Sequence, residues 1–359
     1  MIDDIDKTLI QLVKTYSPTG KEKLAVSLFN SYLEKSGAVE IGTDSAGNGF
    51  GTFDGDGISV SLCGHIDTVP GKLPVLVKNG ILYGRGAVDA KSSLVSLLYG
   101  AMIAKESGFR GTLKVIAAVG EEGSGKGIVE VVRTNMQSNY AIFGEPSDVS
   151  GITVGYRGRL LIEVAFRTEP FHASAPWMGG SSIEAAMLAW SKIKEHYSGR
   201  TGFFETSVAL TGIHGGRSDN VIPSNSRITL DFRFPPHRES NDILKEVSGI
   251  CGTLNLPIPA TIKIINEVKP YVSNTKSPLV IAFRSAIDKK TGTRANLVFK
   301  SGSGDMNILG NSWNIPVITY GPGNTMLSHT NSEYINLEDV RKSAEIVSDS
   351  LIMLEKISK

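Results

Sequence analysis

The sequence predicts an α/β protein whose larger domain has a mostly parallel sheet between helices, with a smaller domain inserted in the chain. Three observations support this fold class. Helix and strand patterns alternate at both ends of the chain, the middle has a different order of elements, and 359 residues exceed the roughly 150 typical of one domain. We therefore expect two domains, one of them discontinuous.

The first part of the chain alternates amphipathic helices with short apolar strands. The predicted helices are 3–15, 21–36, 90–106 and 126–133, and the predicted strands are 58–62, 113–119 and 140–143. The Ser17-Pro18-Thr19-Gly20 segment separates the first two helices, because Pro and Gly interrupt a helical pattern. This order of elements favours a parallel sheet covered by helices.

The middle of the chain has the order β-α-β-β-α-β, which is that of a ferredoxin-like module. Its predicted elements are strand 160–166, helix 181–197, strands 206–213 and 226–233, helix 239–252 and strand 260–266. Helices near 277–290 and 337–357 and a strand at 315–319 then resume the first pattern. We predict one domain made of 1–155 plus 267–359, and an inserted domain of 156–266.

Composition excludes several classes of protein. Hydrophobic residues make up 41% and charged residues 20%, as in ordinary globular domains and unlike disordered or fibrous chains. The formal charge of +1 argues against a nucleic-acid-binding protein. No signal peptide or membrane-spanning run is recognisable, and the only two cysteines, Cys63 and Cys251, are far apart. We expect a cytoplasmic protein without a membrane partner.

Side chains able to bind a metal end four predicted strands or lie just beyond them. The four segments are Gly64-His65-Ile66-Asp67, Gly86-Ala87-Val88-Asp89, Gly120-Glu121-Glu122-Gly123 and Phe143-Gly144-Glu145-Pro146. Ligands of open α/β sheets gather beyond the carboxyl ends of the strands, so these segments can converge. With His329 from the C-terminal part, they supply more ligands than one catalytic zinc needs, which implies two divalent ions.

Two adjacent glutamates cannot easily both point at one ion. If Glu122 is a ligand, Glu121 is free to act as a general base on water. Taken singly, a His-x-Asp is more often part of a core and a Glu-Glu pair is usually solvated surface. It is the ordered set of segments after strands that predicts a metal centre.

Five segments together resemble a known family. SLCGHIDTVPG, LYGRGAVDAKSSL, GEEGSGKG, FGEPS and LSHTNSEYI are similar, in order, to the motifs of the co-catalytic zinc amidohydrolases and peptidases, which include aminoacylases, carboxypeptidase G, acetylornithine deacetylase and succinyl-diaminopimelate desuccinylase. The resemblance implies two zinc ions, or cobalt. It assigns His65, Asp89 and Glu145 to one ion, Asp89, Glu122 and His329 to the other, and Glu121 to the catalytic base.

The same resemblance implies further features of the site. Asp67 would accept the second ring N–H of His65, and the Asp89-Ala90 bond would be cis. The inserted domain would be a lid and dimerisation domain, so we expect a homodimer. In FHASAPWMGGSSIEAA, His172 would reach the partner's active site and stabilise an oxyanion. The alternative is that His172 caps the helix beginning near Ser181.

Three residues of the insert resemble family positions that bind substrate. They are Arg157 in Tyr156-Arg157-Gly158, Asn220 in GGRSDNVIPSN and Arg233 in DFRFP. An arginine can grip a carboxylate through two parallel hydrogen bonds. Either arginine can equally belong to a surface or interdomain ion pair.

Within the family, the chain most resembles hydrolases of lysine and arginine biosynthesis. Those enzymes release lysine or ornithine from an acidic amino-group carrier protein. Eight of the 14 arginines lie between Arg157 and Arg238, which suggests a basic surface for such a partner, unless they are dispersed over several faces. The alternatives are an acetylornithine or acetyl-lysine deacetylase, a succinyl-diaminopimelate desuccinylase or a dipeptidase.

Two remote alternatives come from other classes of protein. One is a non-catalytic binding protein that kept the fold, which would bind no divalent ions. The other is a P-loop NTPase, because residues 120–127 match GxxxxGK. Against it, Gly127 stands where a Ser or Thr hydroxyl would bind Mg²⁺, and Glu121 and Glu122 would repel phosphate.

Overall fold

A computed structural model describes residues 2–134, 136–256 and 259–358. The chain forms two compact units. The first contains the chain up to Gly155, Ser273–Phe299 and the chain from Gly304, and the inserted unit contains Tyr156–Val272 and Lys300–Ser303. Residues 1 and 359, the ends of the predicted discontinuous domain, lie outside the described ranges.

The elements are numbered along the whole chain. The first segment contains α1 (Ile2–Lys14), α2 (Lys23–Lys35), β1 (Val39–Thr43), β2 (Gly49–Phe53), β3 (Ser59–His65), β4 (Leu76–Lys78), β5 (Ile81–Tyr83), α3 (Lys91–Glu106), β6 (Thr112–Ala118), α4 (Lys126–Arg133), β7 (Tyr140–Gly144) and β8 (Gly151–Tyr156). The insert contains β9 (Gly158–Arg167), β10 (Phe171–His172), α5 (Ser182–His196), β11 (Ser207–Gly215), β12 (Val221–Ile222), β13 (Asn225–Phe234), α6 (Ser240–Gly252), β14 (Thr261–Val268) and β15 (Tyr271–Val272). The returning segment contains α7 (Pro278–Thr291), β16 (Asn296–Lys300), α8 (Asp305–Trp313), β17 (Val317–Thr319), β18 (Tyr334–Asn336) and α9 (Leu337–Ile357).

A mostly parallel sheet forms the centre of the first unit, which confirms the predicted fold class. Its strands lie in the order β1-β2-β6-β3-β7-β17-β8. The pairs β6/β3, β3/β7 and β7/β17 are parallel, and the outer strands β1, β2 and β8 run antiparallel to their neighbours. Six of the seven residues of β3 are buried, as expected for a strand covered by helices on both faces.

Helix α3 lies at the centre of the helical packing around this sheet. Twelve of its sixteen residues are buried, because Leu, Ala and Ser follow one another around the whole helix. It packs against α1 and α9 on its flanks and against β3. The segment immediately before α3 therefore rests on a rigid support.

The inserted unit has the predicted ferredoxin-like arrangement. Its four long strands form an antiparallel sheet in the order β11-β13-β9-β14, and its core joins this sheet to α5 and α6. Buried and partly buried residues alternate along β9, as the sequence of 160–166 predicts. Strand β14 continues to Val268 because its pairing with β9 extends to Arg159, so the insert ends beyond residue 266.

Membrane-spanning helices were searched for in the described ranges. None of the helices there combines the length and the apolar composition needed to cross a bilayer.

The turn that resembles a P-loop has no room for the hydroxyl such a loop needs. A Cβ atom on Gly127 would lie 2.3 Å from the carbonyl oxygen of Val119 and 2.5 Å from Oδ1 of Asn48. Asn48 keeps Gly127 and Val119 close together. Its Nδ2 donates to the carbonyl of Gly127 at 2.9 Å, and its Oδ1 accepts from the N–H of Val119 at 2.9 Å. Glycine at 127 therefore serves close packing of α4 against the end of β6.

We predict that Gly127→Ala lowers the free energy of unfolding by about 1 to 3 kcal/mol, because the added methyl overlaps backbone atoms. Chemical unfolding followed by circular dichroism measures the change. Gly249→Ala in α6 is the control, since nothing lies within 4 Å of its Cβ position. Equal stabilities of the two variants would contradict the close-packing explanation.

Candidate metal centre

The residues predicted to bind metal all lie in the first unit, and three of them, His65, Glu122 and Glu145, lie near the ends of its central strands. His65 is the last residue of β3, Glu145 follows β7, and Glu121 and Glu122 lie in the turn between β6 and α4. Because β6, β3 and β7 are parallel neighbours, their carboxyl ends bring these side chains to one edge of the sheet. Asp89 comes from the loop before α3.

The first group of ligand atoms surrounds the ring of His65, which is fully buried. Its Nε2 atom lies 3.1 Å from Oδ1 of Asp89 and 3.2 Å from Oε1 of Glu145. The Asp89-Ala90 peptide bond is cis, as the resemblance implied. One nitrogen and two carboxylate oxygens thus converge from three separate segments.

The second group is formed around His329. Its Nε2 lies 3.2 Å from Oδ2 of Asp89 and 2.8 Å from Oε1 of Glu122. The backbone of His329 is left-handed, with φ of 63°, which is uncommon for a residue other than glycine. Asp89 therefore offers one oxygen to each histidine and stands between the two groups.

Asp67 contacts His65 differently from the prediction. Nδ1 of His65 lies 3.0 Å from the backbone carbonyl oxygen of Asp67, and the carboxylate oxygen is 3.7 Å away, beyond hydrogen-bond distance. The carboxylate instead accepts from the N–H groups of Glu121 and Glu122, both at 3.1 Å, and from the hydroxyl of Thr19 at 2.7 Å. Nδ1 of His65 is nearer to the backbone carbonyl oxygen of Asp67, and the carboxylate of Asp67 holds the turn that carries the two glutamates.

The donor set fits a divalent metal centre. Candidate ligand atoms lie within 4.8 Å of one another in two sets, His65 with Glu121 and Glu145, and His65 with Asp89 and Glu122. Imidazole nitrogens and carboxylate oxygens are ligands that zinc and its neighbours accept. The carboxylate of Glu121 thus lies close to the ligand atoms of His65 and Glu145.

Burial and repulsion between carboxylates dominate the electrostatics of the turn. Burial raises the pKa of Glu121 well above its ordinary value, and the nearby carboxylates of Asp305, Glu145 and Glu122 raise it further. Burial likewise raises the pKa of Asp305 to about 8. A cation bound beside these carboxyls would favour their ionised forms.

The histidines respond to the same carboxylates. Burial opposes a charge on His65, but Glu145, Asp67 and Asp89 together raise its pKa well above the ordinary value. The hydrogen bond to Asp89 raises the pKa of His329 to about 9, with Glu122 adding to the effect.

Sequence reasoning missed two buried acidic residues and a buried arginine. Asp305 is the first residue of α8 and is 5% exposed. Glu333, four residues after His329, forms a buried ion pair with Arg85, with 2.9 Å between Nη1 and Oε2. For Asp305, the signal available in the sequence was the Gly-rich run before it. For Glu333, the signal was its place in the LSHTNSEYI segment.

His172 and Asn220 lie side by side in the inserted unit. Strand β10, which ends at His172, pairs with β12, and the N–H of Ala173 donates to the carbonyl of Asn220 at 2.8 Å. The His172 side chain is exposed, with Nδ1 2.8 Å from the Ser174 hydroxyl oxygen. Helix α5 is capped by Ser181 and not by His172, so the structural alternative for this histidine is wrong.

Arg157 and Arg233 both have partners inside the inserted unit. The Arg157 guanidinium is buried and donates to the carbonyls of Ser301, Gly202 and Glu205 at 3.0 to 3.3 Å. Arg233 donates through Nε to Asp231 at 2.7 Å. The substrate-binding roles of Arg157, Asn220 and Arg233 stay predictions.

The arginines of the insert have different surroundings. Arg159 and Arg233 both pair with Asp231, and Arg238 pairs with Glu246. Three others, with His214, line one groove of about 650 Å³; they are Arg167, Arg217 and Arg227. The acidic partners of the first three arginines belong to the insert itself.

Curated relatives match the chain over nearly its whole length. A relative from Pyrococcus abyssi is 35% identical over 357 residues, covering 98% of this chain and 95% of the relative. A relative from Sulfurisphaera tokodaii is 32% identical over 338 residues, covering 94% of this chain and 91% of the relative. The latter is named LysW-lysine/LysW-ornithine hydrolase.

Solved structures share the fold at lower identity. Aminopeptidase PepT from Bacillus cereus has a TM-score of 0.84 at 20% identity, covering 100% of this chain and 99% of that one. The YXEP protein of Bacillus subtilis, described as a dinuclear metal-binding peptidase of family M20, has a TM-score of 0.78 at 15% identity, covering 99% and 98%. The family model Peptidase family M20/M25/M40 matches residues 61–352, and this chain belongs to that family.

Proposed function

We propose that this metal-dependent amide hydrolase releases lysine, ornithine or both from an acidic amino-group carrier protein. The observation that carries the chemistry is the carboxylate of Asp89, whose two oxygens face His65 and His329 at 3.1 and 3.2 Å. The names of the relatives support the choice of substrate. The buried free thiols of Cys63 and Cys251 are consistent with a reducing compartment, and we propose the cytoplasm.

Two divalent ions, zinc or cobalt, are proposed as the cofactors. His65, Asp89 and Glu145 would hold one ion, and Asp89, Glu122 and His329 the other. When bound, such ions polarise the scissile carbonyl and lower the pKa of the attacking water.

Glu121 is proposed as the general base and acid. It takes a proton from the attacking water and returns it to the nitrogen of the departing amino acid. Hydrogen bonds from the N–H groups of Glu121 and Glu122 to Asp67 fix the turn from which it acts. Burial, together with the neighbouring carboxylates, raises its pKa, which suits a carboxyl that must carry a proton between the two steps.

His172 is proposed to act on the partner subunit of a homodimer. Its side chain is exposed on the short strand β10, beside Asn220, and is available to a second chain. There it would donate a hydrogen bond to the oxygen that develops negative charge during attack on the amide.

For Glu121→Ala we expect kcat to fall by at least about 100-fold, because proton transfer is lost while the proposed ligands remain. Metal analysis of the purified variant is expected to match the wild type. Glu106→Ala, at the exposed end of α3, is the control. Retained turnover in the Glu121 variant would contradict the assignment of Glu121 as the general base.

Mixing two inactive variants tests whether His172 acts across subunits. Glu121→Ala and His172→Ala protomers are unfolded together, refolded and assayed. Recovery of about one quarter of wild-type activity is expected, because about half of the random dimers pair the two variants and each of these has one complete site. No recovery above either variant alone would show that His172 does not act in the partner.

The substrate is tested by comparing the carrier protein with free acyl amino acids. We expect kcat/KM for release of lysine or ornithine from the carrier to exceed that for acetyl and succinyl derivatives by on the order of 100-fold. Added salt is expected to slow only the carrier reaction, since it screens the attraction to an acidic partner. A preference for the small derivatives would replace the carrier proposal with a deacetylase or desuccinylase.

A further inference from the structure

Glu333 binds the loop that carries Asp89 through one buried carboxylate. Its Oε1 accepts hydrogen bonds from the backbone N–H groups of Gly86 and Val88, both at 2.9 Å, and of Asp89 at 3.0 Å. Its Oε2 accepts from Nη1 of Arg85 at 2.9 Å. The side chain is fully buried, so the loop before α3 is folded around this single group.

A carboxylate is the group that such a loop requires. The loop lies between β5 and α3 and has no ladder or helix to satisfy its N–H groups, and buried N–H groups without acceptors are costly. Three N–H donors converging on one oxygen stabilise a negative charge. Arg85 balances that charge, and its Nε also donates to the carbonyl of Gly71 at 3.1 Å.

Glu333 also fixes the segment that carries His329. The next residue, Tyr334, pairs with Tyr83 at the start of the antiparallel ladder between β18 and β5. The N–H of Gly84 donates to the backbone carbonyl of Glu333 at 3.2 Å. The segment from His329 to Tyr334 is therefore joined to the Asp89 loop through both the main chain and the side chain of Glu333.

The two proposed ion sites depend on this junction to different extents. His65 and Glu145 are held by β3 and β7, which pair directly through Cys63 with Phe143 and Gly64 with Gly144. Glu333 contacts neither strand through the hydrogen bonds described above. Of the ligands of the first ion only Asp89 comes from the junction, whereas both Asp89 and His329 serve the second ion.

We propose that Glu333 is a positioning residue that sets how tightly the second ion, held by Asp89, Glu122 and His329, is bound. The inference rests on the ligand sets of the proposed function. Glu333 holds the backbone of Asp89 and the segment that carries His329 at a fixed separation. Loss of its charge weakens the hydrogen bonds to the N–H groups of the loop. The second ion is then bound more weakly, and the first ion is affected less.

Titration of the metal-free protein with Co²⁺ tests the inference. Glu333→Gln keeps an acceptor oxygen of the same reach but removes the charge. Calorimetry and visible absorption are expected to show the second Co²⁺ bound about 10- to 100-fold more weakly than in the wild type, with the first within about threefold. Saturating Co²⁺ is expected to restore kcat to near the wild-type value.

Glu338→Gln is the matched control, because Glu338 lies in the first turn of α9 and pairs with Arg341 at an exposed site. Glu333→Asp keeps the charge but is one methylene shorter, and its expected loss of second-ion affinity separates geometry from charge. Thermal unfolding shows whether the Gln variant is folded. If it is not, the Glu333→Asp variant takes its place in the titration.

Equal weakening of both ions, or a lower Tm with both affinities unchanged, would overturn the inference in favour of a purely structural ion pair. If the wild-type protein itself binds fewer than two Co²⁺ ions, the ligand sets of the proposed function are wrong. The inference is then wrong as well, because it rests on them. If the wild type binds two ions but does not hydrolyse carrier-linked lysine, only the substrate proposal fails.

Discussion

The carboxylate of Asp89 is the interaction on which the rest of the site depends. It faces His65 through one oxygen and His329 through the other, at 3.1 and 3.2 Å, so both groups of ligand atoms share it. Since both groups share this carboxylate, its loop must be held in place, and the second group depends on that loop twice, through Asp89 and through the segment of His329. Its loop rests on α3, which is buried along most of its length.

Two other buried carboxylates hold backbone in place around this shared ligand. Asp67 accepts the N–H groups of Glu121 and Glu122, and Glu333 accepts those of the Asp89 loop. In both cases a loop without regular structure satisfies its buried N–H groups with a carboxylate. The protein thus uses acidic side chains in two ways, as candidate ligands and as acceptors that shape the loops bearing those ligands.

Much of the fold could be predicted because long elements repeat a simple pattern. The apolar spacing of 90–106 and the alternation of 160–166 predict α3 and β9 closely, since both periods follow from burial of one or more faces. Helix α8 could not be predicted in this way. It follows a Gly-rich run and contains Gly310 and Asn311, and it is stabilised by tertiary burial of Leu309 and Trp313.

The chain order of the motifs was enough to predict that the side chains after β3, β6 and β7 converge, because parallel strands bring their carboxyl ends to one edge. Tertiary structure was needed for the partners of those residues. Whether the carboxylate of Asp67 meets His65 or the N–H groups of Glu121, and that Glu333 reaches back to a loop 244 residues earlier, depends on distances between segments far apart in the chain. Such hydrogen bonds leave no periodic pattern in the sequence, since each is made once and at a single position.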